Sequence, residues 1–433
     1  MLKNKSKSRN LPQIFIVSLF LIIWSSALQG QSTINSPYSM FGPGEVKGNE
    51  YFRNMSMGGI SQGFRSNVTV NYLNPASYTA IDSLSFVFDG TVFSHIYQQK
   101  VSNLEQTSGY TAMANLNFAF PVTRRWSVAA GLLPWSQMGY NISDFYEDDT
   151  AGRINYFYEG SGGISQVYMG HGFRLYKGLS AGVNLSYLFG KIEDRLLAQS
   201  DSIGFHRTGW SYSDQVSGFM FSYGLQWQFP IDENRRLTLG ATYTGSTGLD
   251  IKQSSFITRN LPGTPGIDTL NFNEGQKGKM EIPANIAAGA FMNINPRWGG
   301  GVDFQSQNWS SYKTFDSVHN LNDAYMLRAG AVFNPRVETY TGFFNRLEYR
   351  FGARYGQSFL TLQDRSGAYQ DFSEFGISFG LGIPVRRSLS ALNLGFEYSQ
   401  RSSGSADLIQ ENYFRFNIGI NVYERWFVRR KFY

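Results

Sequence analysis

The residue types that could carry out catalysis are few and widely separated along the chain. Gly59-Ile60-Ser61-Gln62-Gly63 has the G-x-S-x-G spacing of a nucleophile elbow, which needs a strand before it, a helix after it and a nearby histidine. Neither element is predicted around Ser61. The four histidines lack metal-ligand spacing, and the absence of Cys excludes thiolate catalysis, Cys-ligated metals and disulfides. We predict a protein that is not an enzyme and that binds no cofactor or metal.

A second group of residues could act through charge. Between residues 345 and 356, apolar side chains alternate with charged ones, and the same two-residue period extends to neighbouring segments. Six charged residues fall on the polar side: Arg328, Glu348, Arg350, Arg354, Glu397 and Arg415. These groups could hold the carboxylate of a ligand whose tail lies in an apolar pocket. They could also brace an internal segment through ion pairs, and bracing is favoured because barrel lumens are usually polar.

The elements that must position these residues are strands. Alternation of apolar and polar residues is clear in 179–187, 219–229 and 392–398, so each strand has one apolar and one polar face. Only 16% of the residues are charged, against about 25% in soluble chains, and 16% are aromatic. A soluble sandwich would carry many Lys and Glu on its outer faces. Here the polar face is Gly, Ser, Thr, Asn and Gln, which favours a membrane barrel with a wet lumen.

The count and spacing of the strands sharpen this prediction. We predict fourteen strands between residues 84 and 424, joined by links that are alternately short and long. The long links, such as 199–215 and 254–277, are expected to be outer loops. The third strand, 125–145, is the least regular, and a separate strand at 138–147 would break the even count. The fold class is therefore all-β, a 14-stranded antiparallel transmembrane β-barrel.

The amino terminus indicates export, and the carboxyl terminus is a basic tail. Residues 1–30 combine a basic start, an apolar run of 11 residues at 14–24 and small residues, as a secretory signal peptide does, with cleavage after Ala27 or, preferably, Gly30. At the other end, residues 425–433 form a basic aromatic tail that could touch lipid headgroups or a protein partner. The net charge of +6 comes mostly from these two ends. Without a basic stripe in the body of the chain, we expect no nucleic-acid partner.

The segment before the first strand, 31–83, does not alternate and is rich in Gly and Pro. It contains Met57-Gly58-Gly59 and, just before the first strand, Asn74-Pro75-Ala76. Together with the order of elements, these residues resemble the FadL/TodX family of outer-membrane transporters for hydrophobic compounds. The resemblance implies that 31–83 is a hatch (plug) inside the lumen of the barrel 84–424. It assigns hatch or gate positions to five residues: Gly58, Gly59, Asn74, Pro75 and Ala76.

The resemblance also implies a route and a function. It implies a kinked third strand with a lateral opening, which we expect at Gly131 and Pro134 because a proline interrupts a strand ladder. The implied function is passive passage of long-chain fatty acids or aromatic hydrocarbons by pocket binding, hatch movement and lateral release. The alternative is a non-transporting barrel that docks or anchors a protein-secretion or outer-membrane complex. The expected partners are the outer-membrane bilayer, a hydrophobic ligand and, because the last strand is rich in Gly and aromatic residues, the barrel-assembly machinery.

Overall fold

The computed structural model describes most of the chain after the expected export signal. The described residues are 35–47, 52–202, 204–260, 266–335, 342–385 and 388–426. The predicted signal, 1–30, and the tail residues 427–433 lie outside the described residues.

The described residues form strands with very little helix. The strands are β1 Glu45–Val46, β2 Ser85–Val101, β3 Leu104–Pro121, β4 Trp126–Asp148, β5 Gly152–Tyr176, β6 Leu179–Ser200, β7 Arg207–Pro230, β8 Arg236–Thr244, β9 Thr247–Asn260, β10 Asp268–Ile282, β11 Asn285–Asn293, β12 Trp298–Gln307, β13 Lys313–Thr314, β14 Ser317–Val318, β15 Ala324–Phe333, β16 Glu348–Gln363, β17 Tyr369–Pro384, β18 Ala391–Ser402 and β19 Gln410–Arg425. The helical elements are α1 Phe52–Met55 and the 3-10 turns Pro37–Met40, Pro75–Ala80, Trp309–Ser311 and Phe344–Arg346. Among the described residues, no helix has the length and apolar content needed to cross a bilayer.

The strands close into a barrel. Every pairing is antiparallel, and β19 pairs with β2 from Gln410↔Lys100 to Arg425↔Ser85, which joins the two ends of the sheet. Two strands of the wall are interrupted once each. One consists of β8 and β9, and the other consists of β10 and β11. The short strands β1, β13 and β14 lie outside the main ladder and are not counted. Counted in this way, the wall has fourteen strands. The predicted all-β, 14-stranded antiparallel barrel is confirmed.

The two faces of the wall differ as the alternation predicts. On β7, Phe219, Tyr223 and Trp227 are about half exposed on the outer surface, whereas Gln226 is fully buried on the lumen side. An apolar, aromatic outer band with polar residues inside is the arrangement of a barrel that faces lipid.

Two predicted loops are shorter than expected. β6 ends at Ser200 and β7 begins at Arg207, and β9 ends at Asn260 where a loop was predicted from 254. The physical reason is that these strands continue beyond the apolar band, where both faces meet water and the two-residue period disappears. The backbone hydrogen bonds between the strands continue beyond the band, although the side chains no longer alternate. The third wall strand, β4, is a single strand, so the even count holds.

The lumen is filled by a chain segment and by inward side chains. We call residues 35–47 and 52–83 the inner segment. Phe52, Met57, Ile60 and Val70 of this segment are no more than 1% exposed, because the wall surrounds them. In another part of the lumen, inward residues of β4 to β10 form an apolar cluster that also takes in Trp309 and nearby residues of the β12–β15 link.

Candidate functional site

The wall has a seam between β3 and β4. The two strands pair only from Leu116↔Leu132 to Pro121↔Ser127. Beyond Leu132, β4 continues for sixteen residues to Asp148. There it keeps its pairing with β5 but no longer pairs with β3, and the first part of β3 is likewise paired with β2 but not with β4. A β-bulge lies in the β4–β5 ladder between Pro134 and Ser136. The bulge follows from the proline, which has no N–H to donate to the ladder.

The inner segment occupies the free edge of β4 at this seam. β1 pairs with β4 through Glu45↔Gln137 and Val46↔Ser136. The Lys47 N–H donates to the Trp135 carbonyl (2.8 Å). These bonds satisfy backbone groups that a membrane-facing edge would leave unpaired. The inner segment therefore closes part of the seam by adding a short strand to the wall.

A small cavity lies behind the seam. Its volume is about 280 Å³, and both apolar and charged side chains line it. Leu133 and Trp135 of the seam strand contribute apolar surface, together with Met220 and Trp309. Gly131 lies at the top of the intact ladder, where a Cβ would meet the Leu116 carbonyl oxygen at 2.6 Å. The predicted positions Gly131 and Pro134 therefore lie on either side of the point where the β3–β4 ladder stops.

Charged residues on the other side of the cavity form one ion-pair network. Arg354 contacts the carboxylates of Glu374 (2.7 Å) and Glu397 (2.6 Å). Arg415 lies 3.9 Å from Glu397 and also contacts His95. The network thus brings together three of the six charged residues singled out in the sequence.

The same network reaches the inner segment. Glu45 pairs with Lys47 (3.1 Å), and Arg401 lies between Glu45 (4.0 Å), Glu374 (3.6 Å) and Glu411 (3.4 Å). The network contains four cations and four carboxylates, so its charges balance. Its members are Lys47, Arg354, Arg401 and Arg415 with Glu45, Glu374, Glu397 and Glu411.

The other three predicted charged residues lie elsewhere in the lumen. Glu348 bridges Arg53 of the inner segment (2.9 Å) and Arg350 of its own strand (2.7 Å). Arg328 also lines the cavity; it donates to the Gln305 side chain (2.7 Å) and is the cross-strand partner of Asp303. Of the six residues, three thus belong to the ion-pair network at the cavity. Glu348 and Arg350 belong to an ion-pair group that holds Arg53 of α1, and Arg328 belongs to neither group.

The predicted hatch positions are packed tightly against the wall. Gly58 and Gly59 have φ of +68° and +89°, and a Cβ on Gly58 would come within 2.6 Å of the Ala353 carbonyl oxygen. The Asn74 side chain accepts from the Ala76 N–H (3.2 Å), and Pro75 begins the 3-10 turn. Proline fits at this first position because its missing N–H would have no helical partner there.

Several lumen residues that hold the inner segment were not singled out from the sequence. Asp303 accepts hydrogen bonds from the N–H groups of Ser61 (2.5 Å) and Gln62 (2.8 Å), and Asp89 accepts one from Val70 (2.5 Å). Ser61, in the G-x-S-x-G sequence, is thus an anchoring point. The signal available in the sequence was an acidic residue on the polar face of a strand, which occurs at both Asp89 and Asp303.

The comparisons with known proteins fit this geometry. A family model described as BamG matches residues 12–433. Among curated proteins, none matches the chain significantly in sequence.

Solved structures share the fold. The toluene transporter TodX of Pseudomonas putida has 15% sequence identity and a TM-score of 0.61, with 88% of this chain and 99% of TodX covered. The toluene transporter TbuX of Ralstonia pickettii has 13% identity, a TM-score of 0.61 and coverage of 88% and 99%. A FadL homologue of Pseudomonas aeruginosa has 13% identity, a TM-score of 0.59 and coverage of 90% and 99%. The FadL/TodX resemblance is therefore confirmed in the fold.

Proposed function

The chain belongs to the BamG family, and on that premise we propose that it is an outer-membrane barrel through which hydrophobic compounds pass without catalysis. The supporting observation is the pairing of a seam with a cavity behind it. Leu133 and Trp135 belong to the strand edge at the seam and also line the cavity. A compound held there would reach the lipid once the part of the inner segment that bonds to the free edge of β4, from Ser36 to Lys47, is displaced.

We propose that the compound is uncharged, of the aromatic hydrocarbon class. A fatty-acid carboxylate would need a cation that is not already neutralised. At the cavity, the arginines Arg354, Arg401 and Arg415 all contact glutamates. The fourth arginine of the lining, Arg328, is the cross-strand partner of the carboxylate residue Asp303. An added carboxylate would have to compete with these buried pairs. An uncharged ring needs only the apolar side of the cavity, formed by residues such as Leu133, Trp135 and Met220. The structurally similar proteins TodX and TbuX are toluene transporters, which is consistent with this class.

Locking β1 onto β4 tests the route. The chain has no Cys, so a pair introduced as V46C and S136C would contain its only thiols. These two residues are cross-strand partners. We expect the oxidised variant to slow the uptake of labelled toluene by cells whose outer membrane carries it, and a reductant to restore the uptake. S373C/S402C, a partner pair within the wall that does not line the cavity, is the matched control and should transport in both redox states. Equal toluene entry in the locked and reduced V46C/S136C variant would contradict lateral passage.

A second candidate function is an anchoring subunit of an outer-membrane protein complex. The observation that favours it is the density of the bonds that hold the inner segment, since ion pairs at Glu45 and Arg53 and hydrogen bonds at Ser61 and Val70 all tie it to the wall. A lumen closed in this way suits a barrel that anchors other proteins, because such a barrel needs no open passage. Mass spectrometry of the protein purified in mild detergent separates the two functions. A bound hydrocarbon near one per chain supports passage, whereas a stoichiometric protein and an empty lumen support anchoring.

The remaining expectations belong to the same proposal. Residues 1–30 would direct export and be removed, and the barrel-assembly machinery would insert the barrel. Residues 31–83 would act as the hatch, and the basic aromatic tail at 425–433 would contact headgroups or a partner at the periplasmic face. Amino-terminal sequencing of the membrane-inserted protein checks the cleavage, which should leave Gln31 as the first residue.

A further inference from the structure

Among the described residues, three outward lysines come together on one side of the barrel. Lys252 of β9 lies directly opposite Lys277 of β10, and Lys279 follows two residues later on the same face of β10. All three side chains are exposed. They point away from the lumen because the alternate residues Leu249 and Ile251 are buried inside it. We call Lys252, Lys277 and Lys279 the lysine cluster.

The lysine cluster forms no ion pair within the described part of the chain, although Asp250 and Glu281 lie on the same outward face. Like charges directly opposite each other destabilise an antiparallel pair, and Lys252 and Lys277 are such a pair. Nearby cations have carboxylate partners: Lys191 pairs with Glu193 (2.5 Å) and Lys313 lies 3.9 Å from Glu281. Among the described residues, no carboxylate oxygen lies within ion-pair distance of the lysine cluster. Even Asp250, which is opposite Lys279 in the ladder, does not reach it.

The position of the cluster relative to lipid follows from the strand register. Phe189 of β6 is opposite Ser217 of β7, Ser217 is opposite Asp250 of β9, and Asp250 is opposite Lys279 of β10. This row lies one step beyond the outward pair Tyr187↔Phe219. The cluster therefore lies where the apolar band ends. It is on the side away from the short turns, which is the outer leaflet in a barrel of this layout.

On the opposite side of the barrel, amides take the place of lysines at the end of the apolar band, and the next outward residue of β2, Lys100, lies opposite Glu105 of β3. There, Gln400 of β18 is opposite Asn412 of β19, which is opposite Gln98 of β2. These outward residues are all amides, so they offer hydrogen bonds but no net charge. The concentration of unpaired ammonium groups on the β9–β10 side is therefore a local feature rather than a ring around the barrel.

We propose that Lys252, Lys277 and Lys279 form a binding site for the phosphate groups of a lipid in the outer leaflet. A phosphate between the three ammonium groups would remove the repulsion between Lys252 and Lys277, and the acyl chains of the lipid would lie along the apolar band below. Phosphate oxygens pair strongly with ammonium groups at such a surface. This inference goes beyond the proposed function and holds whether the barrel transports a compound or anchors a complex.

The test is retention of a phosphorylated lipid by the full-length protein. The protein is placed in nanodiscs that contain equal amounts of lipid A and dephosphorylated lipid A, then released into mild detergent and examined by native mass spectrometry. We expect the wild type to retain lipid A preferentially. We expect K252Q/K277Q/K279Q to lose that preference, by about fivefold for each lysine removed. K100Q, which removes an exposed lysine at the end of β2, is the matched control and should keep it.

Two results would overturn the proposal. One is equal retention of lipid A by the wild type and the triple variant. The other is an affinity for inorganic phosphate, measured in detergent, that equals the affinity for lipid A. The lysine cluster would then be a general anion site. Misfolding of the triple variant is checked separately by heat-modified mobility. Without phosphate, the variant should melt no lower than the wild type, since it lacks the Lys252–Lys277 repulsion.

Discussion

Glu45 offers the sharpest test of how the inner segment is held at the seam. Its carboxylate pairs with Lys47 at 3.1 Å, lies 4.0 Å from Arg401 and accepts a hydrogen bond from the Tyr97 hydroxyl at 3.2 Å. Burial opposes the charge of Glu45, but Lys47 and Arg401 outweigh burial and lower its pKa from 4.5 to about 2. Replacing Glu45 by Gln removes the carboxylate while keeping the shape of the side chain.

The size of the effect can be worked from these contacts. At about 1.4 kcal/mol for each pKa unit, the lowered pKa of Glu45 corresponds to about 3 kcal/mol. In other proteins, removing one partner of a buried ion pair lowers the stability by about 3–5 kcal/mol, and the value for Glu45 agrees with this range. Because Glu45 lies in β1, the loss should appear as local opening of β1 rather than as unfolding of the barrel. An opening cost smaller by about 3 kcal/mol makes the open state about a hundredfold more populated.

Hydrogen exchange at the Lys47 amide measures this opening, since that N–H donates to the Trp135 carbonyl. We expect E45Q to exchange about a hundredfold faster than the wild type. E193Q is the control, because the Lys191–Glu193 pair is on the outer surface and such pairs contribute about 1 kcal/mol or less. Exchange of the Lys47 amide at the same rate in E45Q and the wild type would refute the reasoning.

The pH dependence has a definite sign. The pKa of Glu45 is lower in the folded protein, so its contribution is fully present above about pH 4.5 and is lost as the pH falls toward about 2. After correction for intrinsic exchange rates, the wild type should therefore approach E45Q over this window. E45Q itself should change much less, and a wild type that stayed fully protected near pH 2 would contradict the assignment.

Three further predictions concern the wall. D303N should leave two backbone N–H groups of the inner segment with a weaker acceptor, at about 1–3 kcal/mol, seen as faster proteolysis within that segment. G352A should shift the inner segment, because a Cβ would overlap the Gly58 backbone, and the melting temperature should fall relative to G342A, where nothing lies within 4 Å. L225K, on the outward face of β7, should cost about 2–4 kcal/mol in urea titrations in lipid, as a charge near the bilayer centre does.

The wall could be predicted from the sequence because its pattern is local. Alternation along 219–229 needs only the chemistry of each residue, and lipid outside with water inside imposes that chemistry on every strand. The prediction was wrong at 254–277, since β9 and β10 extend into water on both faces and the chemistry no longer alternates. The strands remain paired there through backbone hydrogen bonds, and the types of the side chains give no sign of this pairing.

The site was harder to predict because its partners are far apart in the chain. Alternation placed Arg354, Glu397 and Arg415 on the lumen side, and all three meet in one network. Their link to Glu45 and Arg401 depends on where the inner segment lies in the lumen, and no periodicity in 31–83 gives that position. Pro134 was a better signal, because a proline disrupts strand pairing wherever it occurs.

The packing of the inner segment limits which part of it can move. Gly240 and Gly352 allow the backbone of Gln62 and Gly58 to touch the wall so closely that a Cβ would overlap them, and Asp303 clamps the same region. We therefore expect residues 52–83 to stay in place when the seam opens. Residues 35–47 are held by the β1–β4 backbone bonds and by the ion pairs of Glu45. Hydrogen bonds of Ser36, Tyr38 and Ser39 to Glu411, the Ile409 carbonyl and Gly139 hold them as well. None of these bonds involves Gly240 or Gly352. We therefore predict that the seam opens through movement within residues 35–47. E45Q should accordingly speed exchange at Lys47 while the Ser61 amide, held by Asp303, remains protected.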